Sequence, residues 1–364
     1  MTSEQQGTTP VITAREVSDR AGPQNIAVIG AGSWGTGLAI HAARLGHTTR
    51  LWTRRPEHCA AMLADRRNRR YLPDVPFPAN LGPVDSLPGA LAGASLVILA
   101  IPSHGMRAVV EQVAEALRGL EGAPYFLIAA KGVEVESLKP MLTVVEEELP
   151  AAHRSRIAVL GGPSFAAELA AGLPTVVVVA SRGTTSGPSD AATAVQGLLA
   201  GASLRVYISD DALGVELGGA FKNVIAIAAG CCDGAGLGQN ARAALITRGL
   251  AEITRLSVTL GANPATLAGL AGLGDLVLTC TGGLSRNRRV GLGLGQGRSL
   301  PDILEEMGMV AEGIKNTLSA QRLAAREGVE MPITRMMHAM LYEGLSVREA
   351  VTALMQRDLK AERG

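Results

Sequence analysis

The sequence predicts an α/β chain, with a doubly wound sheet in the N-terminal half and an all-α C-terminal half. Three observations carry this. Up to about residue 212, short apolar runs alternate with helix-length segments, the pattern of repeated strand–helix units. The runs are apolar on both faces, as strands covered by helices on either side must be. Beyond that point, alanine- and leucine-rich stretches take over and β-branched runs cease.

The first strand is read at 25–30, ending in glycine, followed by a helix at 34–45 with Leu38, Ala42 and Leu45 on one face and Gly46 closing it. A second strand, 48–53, leads to a helix opened by Pro56. Strands at 95–101, 125–130, 157–160, 175–180 and 203–208 complete the sheet, with helices at 105–118, 137–148 and 164–171. The helical half is read as 213–231, 241–260, 299–307, 312–327, 333–342 and 346–356, with Gly-rich connections at 232–238, 269–274 and 281–297. Residues 1–22 read as a polar, disordered tail without the apolar core of a signal peptide, 23–212 as a dinucleotide-binding domain, and 213–364 as a helical substrate domain.

Composition narrows the function. Of 364 residues, 18% are charged and the net charge is +1, so no basic field for nucleic acid is expected. Aromatic residues at 3% leave few platforms for base stacking. The four cysteines, Cys59, Cys231, Cys232 and Cys280, form no CxxC pair, and the six histidines are scattered, so reduced thiols and no metal site are expected. The apolar runs 96–101 and 224–232 are too short to span a bilayer. Together these readings predict a soluble, cytoplasmic protein.

Gly30-Ala31-Gly32-Ser33-Trp34-Gly35 matches GxGxxG between a strand and a helix, the context of a dinucleotide fingerprint. Gly30 permits the tight turn, Gly32 lets the backbone approach a pyrophosphate, and Gly35 allows close helix packing. At the end of the second strand, where NAD sites commonly carry Asp or Glu, stand Arg54 and Arg55. Arginine there suits a 2′-phosphate, so NADP(H) is favoured and NAD(H) remains open. The run Arg66-Arg67-Asn68-Arg69-Arg70 reads as solvated surface, with a role near the adenosine phosphate or at an acidic partner as the alternative.

Reduction of a ketone by hydride needs a proton donor at the carbonyl oxygen and an anchor for the rest of the substrate. Lys131 follows a strand at the carboxyl edge of the sheet, where open α/β sheets bind ligands. Lys222 lies within the apolar run 218–226, where a charge is costly unless it is paired or works at a site. Asp275, in Leu273-Gly274-Asp275-Leu276, either orients Lys222 or caps a helix. Ser285-Arg286-Asn287 offers charge and directional donors for a phosphate, and Gly162-Pro163-Ser164 offers a glycine turn and a hydroxyl at a helix start.

Several stretches, in this order, resemble the bacterial NAD(P)-dependent glycerol-3-phosphate dehydrogenases: Gly30–Ile40, Pro102-Ser103-His104, Ala130-Lys131-Gly132, Gly161–Thr175, Gly214–Gly230, Asn240–Glu252, Ala271–Thr281 and Leu284–Arg289. The resemblance runs from about Asn25 to about Arg357. It implies a Rossmann-type sheet with a helical second domain, interconverting dihydroxyacetone phosphate and sn-glycerol 3-phosphate for phospholipid synthesis. It implies Ser33, Trp34, Arg54, Arg55, Lys131, Ala166, Arg286, Val310 and Glu312 as cofactor contacts. It further implies Lys131, Gly162, Ser164, Lys222, Asp275, Ser285, Arg286 and Asn287 as substrate contacts, with Lys222 transferring the proton. Trp34 stands where the family often has tyrosine or phenylalanine. A homodimer is compatible with a helical second domain. The rival readings are a 2- or 3-hydroxyacid dehydrogenase, which would want a carboxylate clamp, and a non-catalytic dinucleotide sensor, which would not need Lys222.

Overall fold

A computed structural model describes residues 22–183, 190–308, 311–359 and 361–362. The tail expected over 1–22 lies almost wholly outside the described residues, as does Val310. The strands are β1 (Asn25–Ile29), β2 (Thr48–Trp52), β3 (Arg67–Asn68), β4 (Leu72–Pro76), β5 (Leu81–Val84), β6 (Leu96–Leu99), β7 (Tyr125–Ile128), β8 (Ile157–Gly161), β9 (Thr175–Ala180) and β10 (Leu204–Ser209). Eight of them form one sheet in the order β10-β9-β8-β7-β6-β1-β2-β5, and β3 pairs with β4 as a separate ribbon.

The strands from β8 through β7, β6, β1 and β2 to β5 are parallel. Ile26 and Val28 face one buried layer, while Ala27 and Ile29 face the other, so both faces of β1 are covered. The chain order reverses between β1 and β6, which opens a crevice at the carboxyl edge of the strands. Gly30, Thr53, Ala100, Ala129 and Gly162 each immediately follow one of these strands on that edge.

Four sequence expectations need correction, the last of them in the long helix below. β9 runs antiparallel to β8, and β10 follows β9. The helix between them, Ala166–Ala171, has six residues and rises about 9 Å, too little to carry the chain back along a strand of about 17–20 Å. β5 and the β3–β4 ribbon lie outside the strands read from the sequence; they carry Pro83, Pro73 and Pro76, and β5 is an edge strand, where proline is tolerated. The third concerns the glycine-rich connections in the helical half. Arg286–Gly295 is an α-helix, and Leu270–Gly274 is a π-helical turn leading into the helix Asp275–Thr281.

The 23-residue helix Ala212–Gly234 is the axis of the helical half. Asp211 caps it, accepting the Gly214 N–H at 2.9 Å. It is long and apolar enough to cross a membrane by length and composition, which corrects the sequence expectation, yet 94% of its most apolar window is buried within the fold. The glycines of Arg286–Gly295 serve this burial. A Cβ on Gly291 would lie 1.9 Å from the Ile227 carbonyl oxygen, and one on Gly230 would lie 2.1 Å from that of Arg288. The two backbones touch, and glycine is what permits it. The long helix also joins the sheet half, where buried Glu216 accepts the Leu142 N–H at 2.8 Å, at the start of helix Met141–Glu148. Burial pushes the Glu216 carboxyl up to about 8.

Gly291→Ala should therefore lower the thermal unfolding midpoint by overpacking, at about 1–3 kcal/mol. Gly119→Ala, where a Cβ meets nothing within 4 Å, should leave the midpoint unchanged.

Candidate active site

The glycine loop has the shape its fingerprint requires. Gly30 has φ +119°, and a Cβ there would sit 2.4 Å from the Ala100 carbonyl oxygen. A Cβ on Gly35 would sit 1.9 Å from the Gly30 oxygen, so the helix Ser33–Arg44 packs directly on the strand end. Gly32 faces open space. No side chain caps this helix and no acidic residue occupies its first turn, so its N–H groups are open to an anion. Trp34 packs against the core, and its buried Nε1 has no partner among the described residues. These features fit a dinucleotide pyrophosphate. Arg54 is exposed just beyond β2, and Arg55 precedes the helix Pro56–Asp65. Burial lowers the His104 pKa, helped by the charges of Lys315 and Arg54, so positive charge collects on this edge. Ala166 begins its short helix beside the glycine-loop helix, its carbonyl oxygen 3.1 Å from where a Gly37 Cβ would be.

The chemical centre is a buried carboxylate between two lysines. Asp275 Oδ1 accepts from Lys222 Nζ at 2.7 Å, and Oδ2 accepts from Lys131 Nζ at 2.7 Å. The Asp275 side chain is 1% exposed, Lys222 7% and Lys131 14%, so the open side of the cluster lies toward Lys131. Lys222 also donates to Thr279 Oγ1 at 2.6 Å, and Lys131 to the Gly162 carbonyl at 3.1 Å. Burial lowers the Lys222 pKa to about 8; the Asp275 carboxylate opposes that shift and the Lys131 ammonium adds to it. Asp275 therefore orients Lys222 and caps no helix, since Gly274 holds the N-cap position. The π-helical turn delivers it there.

A second network holds the neighbouring groups. Asn287 donates to Asn223 Oδ1 at 2.8 Å and accepts the Gly313 N–H at 3.0 Å. Ser285 caps its helix, accepting the Arg288 N–H at 3.2 Å. Arg288 turns to Asp233 at 2.6 Å, whereas Arg286 is exposed. Half-buried Glu312 accepts the Ser103 N–H at 3.4 Å; burial raises its pKa against the pull of Arg286, the Ser103 N–H, Lys131 and Lys222. Ser164 Oγ donates to the Gly162 carbonyl at 3.0 Å. The fold thus gathers Lys131, Gly162, Ser164, Lys222 and Asp275 around one point, with Glu312 and Arg286 within electrostatic reach.

Sequence reasoning missed three polar residues. Thr279 follows Asp275 by one helical turn, a spacing that could have found it. Asn223 adjoins Lys222. Asn316 is fully buried and donates to the carbonyls of Lys131 and Ala220 at 3.2 and 3.0 Å, tying the two halves together; no local pattern marks it.

Comparison with known proteins gives concordant matches. Residues 25–187 match the family model for the N-terminus of NAD-dependent glycerol-3-phosphate dehydrogenase, and 211–352 match that for its C-terminus. A relative from Geobacter metallireducens named NAD(P)+ glycerol-3-phosphate dehydrogenase is 52% identical over 341 residues, covering 94% of this chain and 99% of its own. One of the same name from Anaeromyxobacter dehalogenans is 51% identical over 335 residues, covering 92% and 98%. The crystal structure of glycerol-3-phosphate dehydrogenase from Coxiella burnetii superposes with a TM-score of 0.85 at 40% identity, covering 92% of this chain and 99% of its own.

Replacing Asp275 by Asn leaves two lysines facing a neutral amide. Breaking a buried pair in this way costs about 3–5 kcal/mol. Denaturant unfolding should show that loss in full for Asp275→Asn. The loss should shrink when Lys222→Met is added, because one unpaired cation is gone.

Proposed function

We propose that this chain, which belongs to the NAD-dependent glycerol-3-phosphate dehydrogenase family, reduces dihydroxyacetone phosphate to sn-glycerol 3-phosphate with a nicotinamide cofactor, and works in the reverse direction as well. The observation that carries the reading is the buried Lys222–Asp275–Lys131 cluster at the carboxyl edge of the sheet. Residues 23–212 act as the dinucleotide-binding unit and 213–364 as the substrate unit. The product supplies glycerophospholipid synthesis in the cytoplasm.

Gly30, Gly32, Ser33, Trp34 and Gly35 would hold the pyrophosphate, Arg54 and Arg55 a 2′-phosphate, and Lys131, Ala166, Arg286, Val310 and Glu312 the remainder of the cofactor. The arginine charge beside β2, which pairs with no carboxylate among the described residues, favours NADP(H) and leaves NAD(H) usable. When bound, the reduced nicotinamide supplies the hydride.

This chain's own residues do the rest. Lys222 donates a proton from Nζ to the ketone oxygen as that oxygen gains charge, and takes the proton back in the oxidative direction. Asp275 holds the amine in place and favours its charged form. Thr279 fixes a second Nζ hydrogen, which leaves one hydrogen for the substrate. Lys131, Gly162 and Ser164 border the triose, while Arg286 with Ser285 and Asn287 anchors its phosphate. A phosphate also answers the cation excess of the site. A homodimer remains our reading of its assembly, with the apolar cleft lined by Leu245, Val258, Met336, Met340 and Val351 as the candidate face. Equilibrium sedimentation decides it.

Purified protein should oxidise NADPH with dihydroxyacetone phosphate, and NADH more slowly. Lys222→Ala should lose at least about a hundredfold in kcat/KM, the low end for general acid catalysis. An unchanged rate would remove Lys222 from its role. The pH dependence has a defined sign. Reduction needs the charged amine, so its kcat/KM should fall above about pH 8; oxidation needs the neutral amine, so it should rise through the same value.

A further inference from the structure

We propose that Asn68 and His58 are positioning residues for the dinucleotide, joining the glycine loop that would hold its pyrophosphate to the arginines that would hold its 2′-phosphate. The inference rests on the cofactor reading above and deepens it.

The arginines of the run Arg66–Arg70 each have partners within the protein. Arg66 has φ +50°, and its guanidinium donates to the carbonyls of Leu81 and Pro78 at 3.0 and 2.6 Å. Arg67 donates to the Pro73 carbonyl at 3.4 Å, Arg69 pairs with Asp65 at 2.6 Å, and Arg70 lies over the Tyr71 ring. The neutral residue among them is the buried one, for Asn68 is 0% exposed. Its Nδ2 donates to the Ala31 carbonyl at 3.0 Å and to Thr36 Oγ1 at 2.8 Å. Ala31 lies within the glycine loop, and Thr36 in the first turn of the helix it opens.

The other end of the amide completes the link. Asn68 Oδ1 accepts the Tyr71 N–H at 3.3 Å and His58 Nε2 at 3.1 Å. Turning the amide over would set a carbonyl against the Ala31 carbonyl, so its orientation is fixed. His58 must then carry hydrogen on Nε2, and in the neutral ring its Nδ1 accepts from the Thr53 hydroxyl at 3.5 Å. Thr53 Oγ1 accepts the Arg55 N–H at 3.5 Å. Four hydrogen bonds thus run from the backbone that would face the pyrophosphate to the backbone that carries the arginine pair. The bond from Asn68 to Ala31 is short and buried, that from His58 to Asn68 short and half-buried, and the two nearer Arg55 are long. Asn68 therefore governs the loop strongly, and His58 passes a weaker constraint to the arginines.

ADP-ribose and 2′-phospho-ADP-ribose test this without the reacting ring, read by the fluorescence of Trp34 and Trp52, the chain's two tryptophans. Trp34 lies in the glycine loop and Trp52 ends β2, so both report on the site. Wild type should bind both fragments, the 2′-phosphorylated one more tightly. Asn68→Asp keeps the acceptor and sets a carboxylate against the Ala31 carbonyl; it should weaken both fragments by about tenfold, the scale of a lost buried hydrogen bond. His58→Phe keeps the edge contact on Tyr71 and removes both ring nitrogens. It should leave ADP-ribose within about twofold and weaken 2′-phospho-ADP-ribose about three- to fivefold, a fraction of one hydrogen bond. Thermal melts of the unliganded variants establish that they are folded. Folded variants that bind both fragments like wild type, whatever their melting temperature, would overturn the proposal while leaving the cofactor reading intact. A wild type that binds neither fragment overturns both.

Discussion

One buried carboxylate with a lysine on each of its oxygens is the constraint on which the site depends. Lys131 comes from the sheet half, while Lys222 and Asp275 come from the helical half. Burying such charges is unfavourable in isolation, and their mutual attraction offsets it only with close geometry and satisfied hydrogen bonds. Thr279 and the Gly162 carbonyl supply those bonds. With Asp275 set against two ammonium groups, the cluster keeps an excess positive charge. An anionic substrate brings the missing counter-charge, so the feature that weakens the empty fold favours the occupied one.

The surrounding architecture serves that geometry. The long helix Ala212–Gly234 presents Lys222 from a fully packed position, and glycine-to-backbone contact with Arg286–Gly295 brings Arg286 and Asn287 alongside. The π-helical turn sets Asp275 on the inward side. Asn316 and Glu216 fasten the helical half to the loop of Lys131 and to the helix Met141–Glu148. Lys222 and Asp275 sit on helices, and Asn316 holds the loop of Lys131, which suits a site that must hold an amine near a carbonyl without reorganising.

Much of this was legible in the sequence, for identifiable reasons. The parallel strands are apolar runs between helix signals, and the glycine fingerprint announced itself by spacing. Lys222 stands out because a lysine in an apolar run demands a partner; the sequence leaves Asp275 as either that partner or a helix cap, and the structure pairs the two. What stayed hidden depends on tertiary contact. Glycines that read as loop signals in 281–297 are helix-packing positions, a distinction invisible until the partner helix is known. The reversal of β9 follows from a helix too short to return the chain, a matter of length rather than composition. Asn68 was masked by four arginines that drew the eye to charge, and Asn316 by a helix whose pattern is otherwise ordinary.

The central claim is that Lys222, held by Asp275, meets the ketone oxygen of the triose. A crystal structure with oxidised cofactor and dihydroxyacetone phosphate bound together tests it most directly. The account predicts Lys222 Nζ at about 2.6–3.2 Å from the ketone oxygen, with its bond to Asp275 retained. An ordered triose whose ketone oxygen lies beyond the reach of that amine, directly or through one water, would contradict it.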